Sequence, residues 1–348
     1  MSAPLRVTVL TEAGHGPGLG HVRRCVALGR AAVEAGASVR VLVAGDLPPD
    51  RPRDDRVRLE PCDWRDTTDV GLRALDHTPA DVVVVDSYVV SDELLVRLST
   101  RVSCVVLIDD LADRPTPVDV VVNGGFHAAR LTYQGKPDTL YLLGPRYVLL
   151  DSAFAEPPSP RPARAVRRVL ITLGGDAPRE LFETTIDVMR RVSPETQLDV
   201  VVGPFTTWNS LERTHVRVHR GLSSLRALML TADLAVTAGG MTLYECLASG
   251  VPIVALAIVD NQRPNIASLS AAGLLVDGGP SLESAVRRIV EDAELRSTMS
   301  RHGRDVVDGA GALRVAAEIQ RVTAARGVAA RARDIGVAGP TRGVAGRA

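Results

Sequence analysis

Short apolar runs alternate with longer stretches of helical periodicity along most of the chain. Runs rich in β-branched residues lie in the first half at residues 7–10, 39–43, 82–85, 104–108 and 118–122. Similar runs lie in the second half at residues 169–173, 198–202, 234–237 and 253–256. Strands that are apolar throughout and separated by helices are typical of parallel sheets covered on both faces. The pattern therefore predicts an α/β protein built on parallel sheets.

A proline-rich segment divides the chain into two halves. With 348 residues the chain exceeds one ordinary domain, and residues 156–164 read Glu-Pro-Pro-Ser-Pro-Arg-Pro-Ala-Arg. Proline disrupts both a helix interior and a central strand. We therefore predict a first domain over 1–155, a linker over 156–167 and a second domain over 168–323. Residues 324–348 are mainly Ala, Gly and Arg, a composition that predicts a disordered tail.

Composition and charge narrow the class of protein. Forty-one basic residues balance forty-one acidic ones, which argues against nucleic acid or an anionic membrane as the main partner. The longest apolar run, residues 251–259, is about half a membrane span, and Met1 stands too close to the first strand for a signal peptide. The four cysteines form no CxxC pair. We therefore expect a soluble, cytoplasmic protein without zinc or disulfides.

A glycine-rich loop, residues 14–21, follows the first predicted strand and precedes a helix predicted over residues 21–35. Its sequence is Gly-His-Gly-Pro-Gly-Leu-Gly-His. Glycines such as Gly18 and Gly20 let the backbone approach a ligand, and free N–H groups at a helix start favour phosphate. The spacing fails the GxGxxG fingerprint, and the GK[ST] of a P-loop is missing. The loop therefore predicts an anion site without indicating a nicotinamide cofactor or ATP.

His21 ends this loop at the carboxyl side of the first strand, where ligands of open α/β sheets bind. A helix amino terminus favours the neutral form of an imidazole, which suits a general base. The alternative is that His21 only caps or packs the helix. In the second half, Gly174-Gly175-Asp176 follows the first strand of the second domain and is predicted to face the cleft between the two domains.

A second glycine pair, Gly239-Gly240, ends a predicted strand, and a helix begins near Met241 and Thr242. This arrangement directs N–H groups at a diphosphate and leaves Glu245 to accept hydrogen bonds from ribose hydroxyls. Alone, the same residues could form an ordinary turn with Glu245 as a helix-dipole partner. The amides of Asn261 and Gln262 follow the next strand and suit sugar hydroxyls, because amides both donate and accept.

Two resemblances follow from these residues. Residues 237–265 resemble the nucleotide-sugar signature of two-domain glycosyltransferases of the GT-B fold, such as MurG. Six other segments resemble, in the same order, the PseG/SpsG family of nucleotide-sugar hydrolases. These are residues 18–28, 86–88, 108–115, 122–124, 143–150 and 173–176. The likeness covers residues from about 5 to about 320.

The resemblance implies a GT-B fold, in which two Rossmann-like domains face each other across a cleft. It implies cleavage of a UDP-sugar at the anomeric carbon, with inversion, without metal or cofactor, and with His21 deprotonating the attacking water. The resemblance also implies that UDP contacts Gly239, Gly240, Met241, Thr242 and Glu245. The loop glycines Gly18, Gly20, Gly174 and Gly175 are further predicted to contact the nucleotide or its phosphates. Asp86, Tyr88, Asn261 and Gln262 are predicted to contact the sugar.

Two segments depart from the hydrolase pattern. Residues 11–15 read Thr-Glu-Ala-Gly-His where Arg-x-Asp-x-Ser is usual, and Tyr244-Glu245-Cys246 is nearer to the transferases. The alternative hypothesis is therefore an inverting GT-B glycosyltransferase that passes the sugar to an acceptor in glycan or natural-product biosynthesis, such as a small molecule. The third hypothesis is a protein that binds sugar nucleotides but catalyses no reaction.

Overall fold

The structure is a computed structural model. It describes residues 3–14, 18–47, 56–65, 68–76, 79–159, 165–175, 177–206, 208, 211 and 214–334, with side chains to residue 326. Within these ranges the strands are β1 Arg6–Ala13, β2 Ser38–Gly45, β3 Val57–Pro61, β4 Val82–Asp86, β5 Cys104–Ile108, β6 Pro115–Thr116, β7 Val120–Asn123, β8 Gln134–Gly135, β9 Leu140–Leu143, β10 Arg168–Thr172, β11 Gln197–Val201, β12 Val216–His219, β13 Leu234–Ala238, β14 Ile253–Leu256 and β15 Val276–Asp277. The helices are α1 Gly20–Glu34, α2 Thr68–Asp76, α3 Asp92–Ser99, α4 Arg179–Val192, α5 Arg226–Thr231, α6 Met241–Ala248, α7 Arg263–Ala271, α8 Leu282–Glu291, α9 Ala293–Val306 and α10 Gly311–Asp334.

The first domain is built on a parallel sheet. In the described part of the chain its strand order is β3-β2-β1-β4-β5-β7-β9, so the order reverses between β1 and β4. Every residue of β4 and β5 is buried. Val82 and Val84 join the core that contains α1, whereas Val83 and Val85 join the core on the other face. The sheet is therefore covered on both sides, which explains the apolar runs in the sequence.

The second domain repeats this topology. Its described strands follow the order β12-β11-β10-β13-β14-β15, all parallel, with the reversal between β10 and β13. A reversal leaves a crevice at the carboxyl ends of the two central strands, where ligands of such sheets bind. The prediction of two Rossmann-like α/β domains is thus confirmed. A small additional sheet pairs β6 with β8.

The last helix, α10, returns to the first domain. Val315 and Ile319 are buried in the core that contains α1, and the Gln320 amide donates to the carbonyl of Ala35. The predicted boundary at residue 323 is therefore misplaced, because the chain leaves the second domain before α10 begins. The apolar positions of this helix are visible in the sequence, but the sequence does not show which domain buries them.

Helix α10 also passes through the start of the predicted tail and ends at Asp334. Arg326 contributes to this extension, since it pairs with Asp119 at 2.7 Å and with Asp138 at 3.0 Å. The helix therefore overlaps the first part of the segment for which the composition predicts disorder. Residues 335–348 lie outside the described part.

Gly309 lies where the chain crosses back between the domains, in contact with the earlier crossing near Phe154. Its φ is +74°, and a Cβ placed on it would lie 2.3 Å from the carbonyl oxygen of Phe154. A side chain there would meet both a strained backbone conformation and a fixed main chain.

Gly309→Ala is expected to lower the free energy of unfolding by about 2–4 kcal/mol, from left-handed strain and overpacking together. Gly36→Ala is the matched control, because Gly36 has φ +89° but a Cβ placed on it would have no atom within 4 Å. The control should lose only about 1 kcal/mol. Urea unfolding of both variants measures the difference, and equal losses would contradict the packing argument.

No helix in the described ranges is both long enough and apolar enough to cross a membrane.

Candidate functional site

The cleft between the two domains holds two adjoining cavities. The histidine cavity, about 530 Å³, is lined by His21 and Tyr88 from the first domain and by Asn261 from the second. The glutamate cavity, about 500 Å³, is lined by Glu245 of the second domain and Arg23 of the first. The two cavities share Gly20, Gly240, Met241, Val259 and Gln262. A ligand that spans the shared wall would contact both domains.

His21 is held by a buried carboxylate at the switch point of the first sheet. It lies in the first turn of α1, directly after the loop that follows β1, and its Nδ1 is 2.6 Å from Oδ1 of Asp86. Asp86 is the last residue of β4, which pairs with β1. The two side chains therefore meet because the strand order reverses between these strands.

Asp86 is fully buried and surrounded by donors. Arg24 donates through Nε to Oδ2 at 2.7 Å and through Nη2 to Oδ1 at 2.6 Å, and the Cys25 thiol donates to Oδ2 at 3.3 Å. Burial by itself would raise the pKa of Asp86, but the charge of Arg24 and the hydrogen bonds from Arg24 and His21 outweigh burial and hold the pKa well below its usual range. The ionised carboxylate only accepts hydrogen bonds, so it favours the tautomer of the neutral imidazole in which Nδ1 carries the hydrogen and Nε2 has the lone pair.

The prediction that Asp86 binds the sugar is therefore wrong. Asp86 does not line either cavity, and its relative exposure is 0%. The sequence placed it correctly at a strand end, but the side chains of α1 that cover it come from about sixty residues earlier in the chain. Its contact is with the imidazole of His21, which lines the cavity in its place.

Tyr88 lines the histidine cavity, as the sugar assignment requires, and is positioned by a second carboxylate. Its hydroxyl donates to Oδ2 of Asp110 at 2.9 Å, and its ring meets the imidazole of His21 edge-on, with centroids 4.8 Å apart. Asp110 also accepts from Nη1 of Arg24 at 2.7 Å. Burial and the charge of Asp110 raise the pKa of Tyr88, so the phenol stays a neutral donor.

Arg24 and Asp110 were not among the predicted site residues. The Asp109-Asp110 pair reads in the sequence as a strand end, and this interpretation holds for Asp109, whose Oδ1 accepts from the N–H groups of Leu111 and Ala112. Asp110, in contrast, lines the histidine cavity. A signal for Arg24 exists in the sequence, because it stands three residues after His21 and so on the same face of the helix.

The glycine loops of the two domains meet across the cleft. Gly18, Gly174 and Gly175 all line the glutamate cavity. A Cβ on Gly175 would lie only 3.3 Å from Cα of Gly18, so a side chain there would crowd the main chain of the facing loop. Residues 15–17 and Asp176, which belong to the same loops, lie outside the described residues.

The second glycine pair separates β13 from α6, as predicted. Gly239 and Gly240 line the histidine cavity, and Met241 and Thr242 begin the helix beside the glutamate cavity. Gln262 lines both cavities, but its Oε1 accepts from the N–H groups of Gly239 at 3.2 Å and Ile258 at 2.9 Å. Its carbonyl therefore braces the loop that carries the glycines.

Glu245 lies on α6 and is half-buried, with its Oε2 atom enclosed by protein. Burial raises the pKa of this carboxyl, while the nearby charge of Arg23 lowers it and that of Asp151 raises it further. Its Oε2 has no hydrogen-bond partner among the residues that the structure describes. A buried polar atom without a partner is uncommon, and one at a cavity wall can accept from a ligand hydroxyl.

A polar cluster that sequence reasoning missed joins the domains beside the histidine cavity. The Tyr244 hydroxyl accepts from the N–H of Phe126 at 2.8 Å and donates to Oδ1 of Asn265 at 2.7 Å. The same oxygen lies 3.3 Å from Nδ1 of His127. His127, Asn123 and Asn265 all line the cavity. The segment Val122-Asn123-Gly124 was noted in the sequence, but its role depends on contacts with the other domain.

Within the described ranges, no group of three or more His, Cys, Asp or Glu side chains is arranged to hold a metal ion.

The sequence matches no known family model. It is 26% identical over 267 residues to the spore coat polysaccharide biosynthesis protein SpsG of Bacillus subtilis (strain 168), covering 72% of this chain and 79% of the relative. The pseudaminic acid cytidylyltransferase and UDP-2,4-diacetamido-2,4,6-trideoxy-beta-L-altropyranose hydrolase of Helicobacter pylori (strain ATCC 700392 / 26695) is 26% identical over 186 residues, which are 52% of this chain and 35% of that protein. The chain is related to the PseG/SpsG-type family.

Solved structures of glycosyltransferases have the same fold as this chain. The glycosyltransferase SnogD from Streptomyces nogalater superposes with a TM-score of 0.63 at 18% identity, over 92% of this chain and all of that one. MurG of Acinetobacter baumannii superposes with a TM-score of 0.60 at 15% identity, over 91% of this chain and all of that one. At such low identity the likeness concerns the architecture, and the predicted GT-B fold is confirmed.

Proposed function

We propose that this protein cleaves a nucleotide-diphosphate sugar at its anomeric carbon, with water as the nucleophile and His21 as the base. One observation carries the proposal. The imidazole of His21 forms part of the cavity wall while its Nδ1 is held by the buried, ionised Asp86. This arrangement leaves Nε2 as the basic nitrogen, which is what a general base requires.

The step balances without a further reactant. The oxygen of water forms a bond to the anomeric carbon while the bond from that carbon to the β-phosphate oxygen breaks. The electron pair of the broken bond leaves with the nucleoside diphosphate, and the proton of water moves to Nε2 of His21. Asp86 stabilises the imidazolium that forms, because its carboxylate is already 2.6 Å from Nδ1. Attack from the face opposite the leaving group inverts the configuration.

The second domain is proposed to hold the nucleotide. Main-chain N–H groups at Gly240 and the start of α6 suit the diphosphate, because a helix amino terminus favours an anion. The N–H of Gly239 is already donated to Gln262, so Gly239 is proposed to let the backbone approach the ligand closely. Glu245 and Thr242 line the adjoining cavity and suit ribose hydroxyls. Uridine is the first nucleotide to test, since the name of the H. pylori relative includes a UDP-sugar hydrolase.

Tyr88, Asn261 and Gln262 are proposed to contact the sugar from opposite sides of the histidine cavity. Tyr88 supplies a neutral hydroxyl, and the Asn261 amide supplies both a donor and an acceptor. Gln262 supplies its NH2 group, because its carbonyl already accepts two main-chain hydrogen bonds. His127 and Asn123 share this wall and add further polar groups.

Reaction in ¹⁸O-labelled water tests the bond that breaks. Attack at the anomeric carbon leaves UDP unlabelled, whereas attack at phosphorus places ¹⁸O in its phosphate, and ³¹P NMR distinguishes the two. Proton NMR at early times reports the anomeric configuration of the free sugar. We expect unlabelled UDP and an inverted sugar from at least one member of a UDP-sugar panel without any acceptor. Labelled UDP would exclude the proposed mechanism.

Transfer of the sugar to an acceptor is the second candidate. It is favoured by the glycosyltransferase neighbours, which align over more than nine-tenths of the chain. The histidine cavity is also lined by Val89 and Val259, which are 64% and 53% exposed and would suit an apolar acceptor. This function predicts that UDP appears only when an acceptor is added. Release at the full rate without an acceptor would exclude it.

A further inference from the structure

We infer that Arg23, supplied by the first domain, binds the diphosphate of the nucleotide held by the second domain. The inference rests on the proposed function, since it names the group that meets the leaving phosphate. It concerns the glutamate cavity, whose wall is formed by glycine loops of both domains and by Glu245.

Helix geometry separates Arg23 from the histidine cavity. His21 and Arg24 are three residues apart and both line that cavity. Arg23 is rotated by about 200° from His21 around the helix axis, because a helix turns once in 3.6 residues. It therefore lines the glutamate cavity instead. One turn of α1 thus offers a base to one cavity and a cation to the other.

The contacts of Arg23 leave part of its guanidinium available. Its Nη2 donates to the carbonyl of Leu222 in the second domain at 3.2 Å, but its buried Nε has no hydrogen-bond partner in the structure. Glu245 contributes the complementary feature, because its buried Oε2 also has no partner. Two side chains from opposite domains therefore line the same cavity, and each has a buried polar atom without a partner among the described residues.

These two groups fit different parts of one ligand. A guanidinium presents parallel N–H donors that match phosphate oxygens, and a carboxylate accepts from a vicinal diol. The N–H groups of the glycine loops add further donors for an anion. A nucleoside diphosphate carries phosphate groups for Arg23 and a ribose diol for Glu245. Inorganic phosphate has no diol. Arg23 would then offset the negative charge that grows on the diphosphate as the anomeric bond breaks.

Calorimetric titration with UDP, UMP and uridine tests the inference without any turnover. Arg23→Met should weaken UDP binding by about 10- to 100-fold, weaken UMP less and leave uridine unchanged, because a charge-assisted hydrogen bond to phosphate is lost. Arg23→Lys should recover part of the affinity. Arg287→Met on α8 is the control, since Arg287 is exposed and pairs with Glu283 far from the cleft.

The outcomes separate this inference from the proposed function. Unchanged UDP affinity in Arg23→Met, or an equal loss for uridine and UDP, overturns the role of Arg23 even if the protein cleaves UDP-sugars. If UDP binding depends on Arg23 but no UDP-sugar is cleaved, the inference is supported and the proposed hydrolase function is contradicted. If the wild type binds none of the uridine, cytidine, thymidine and guanosine diphosphates, the inference is overturned as well.

Discussion

Replacing His21 with alanine is expected to slow cleavage of the nucleotide-sugar by about 10²- to 10⁴-fold, the range for removal of a general base. Nucleotide affinity should stay within a few-fold of the wild type, because the nucleotide is proposed to lie mainly in the glutamate cavity. The variant should also fold. Asp86 keeps both hydrogen bonds from Arg24 when the imidazole is removed, so no buried charge loses its counter-ion.

His219→Ala is the matched control for this prediction. His219 also pairs with a buried aspartate, with Nε2 2.7 Å from Oδ1 of Asp199, but it lies on β12 at the edge of the second sheet. Its removal should leave the cleavage rate unchanged. Steady-state kinetics and UDP titration of both variants provide the measurement. A wild-type rate in His21→Ala, or a loss of UDP binding equal to the loss of rate, would contradict the role of His21 as base.

Replacing Asp86 with asparagine is expected to lower both stability and activity. Arg24 would lose its main counter-ion in a buried position, which typically costs about 3–5 kcal/mol, less here because Asp110 still pairs with Nη1. The cleavage rate should fall by about 10²- to 10⁴-fold, because an amide neither stabilises the imidazolium nor enforces the Nδ1–H tautomer. Urea unfolding and steady-state kinetics measure the two losses separately.

The pH dependence of the stability loss has a definite sign. The folded-state pKa of Asp86 lies below its unfolded value of about 3.9. The ionised group therefore stabilises the fold fully above that pH, and the contribution disappears as the pH falls through the folded pKa. The stability difference between the wild type and Asp86→Asn should narrow from pH 7 toward pH 2. A constant difference over that range would show that the lost stability is not electrostatic.

Asp199→Asn separates a structural role from a catalytic one. Asp199 is also buried and pairs with Arg168 at 2.8 Å and with His219, but it lies outside the cleft. This control should lose stability without losing the rate constant for cleavage. If both aspartate variants lose stability and keep the rate, Asp86 holds the fold without acting on His21.

Much of the architecture could be predicted because it depends on patterns within short segments of the sequence. The strand β4 reads Val-Val-Val-Val-Asp, an apolar run that only a sheet covered on both faces would bury. The glycine pair before α6 and the histidine at the start of α1 also stand at predictable places. A βα loop follows its own strand, and ligands bind where such loops gather. The sequence by itself thus determined the fold class, the loops at the cleft and the position of His21.

The tertiary structure alone decided which side chains meet. His21 and Asp86 are separated by 65 positions, and Arg24 and Asp110 by 86. Each of these residues could be read locally as a cap, a strand end or a surface charge. The return of α10 to the first domain likewise required knowing which core covers Val315 and Ile319. Periodicity along a chain indicates that a side chain is buried. Which distant residue covers it or forms an ion pair with it is decided only when the strands and helices pack together.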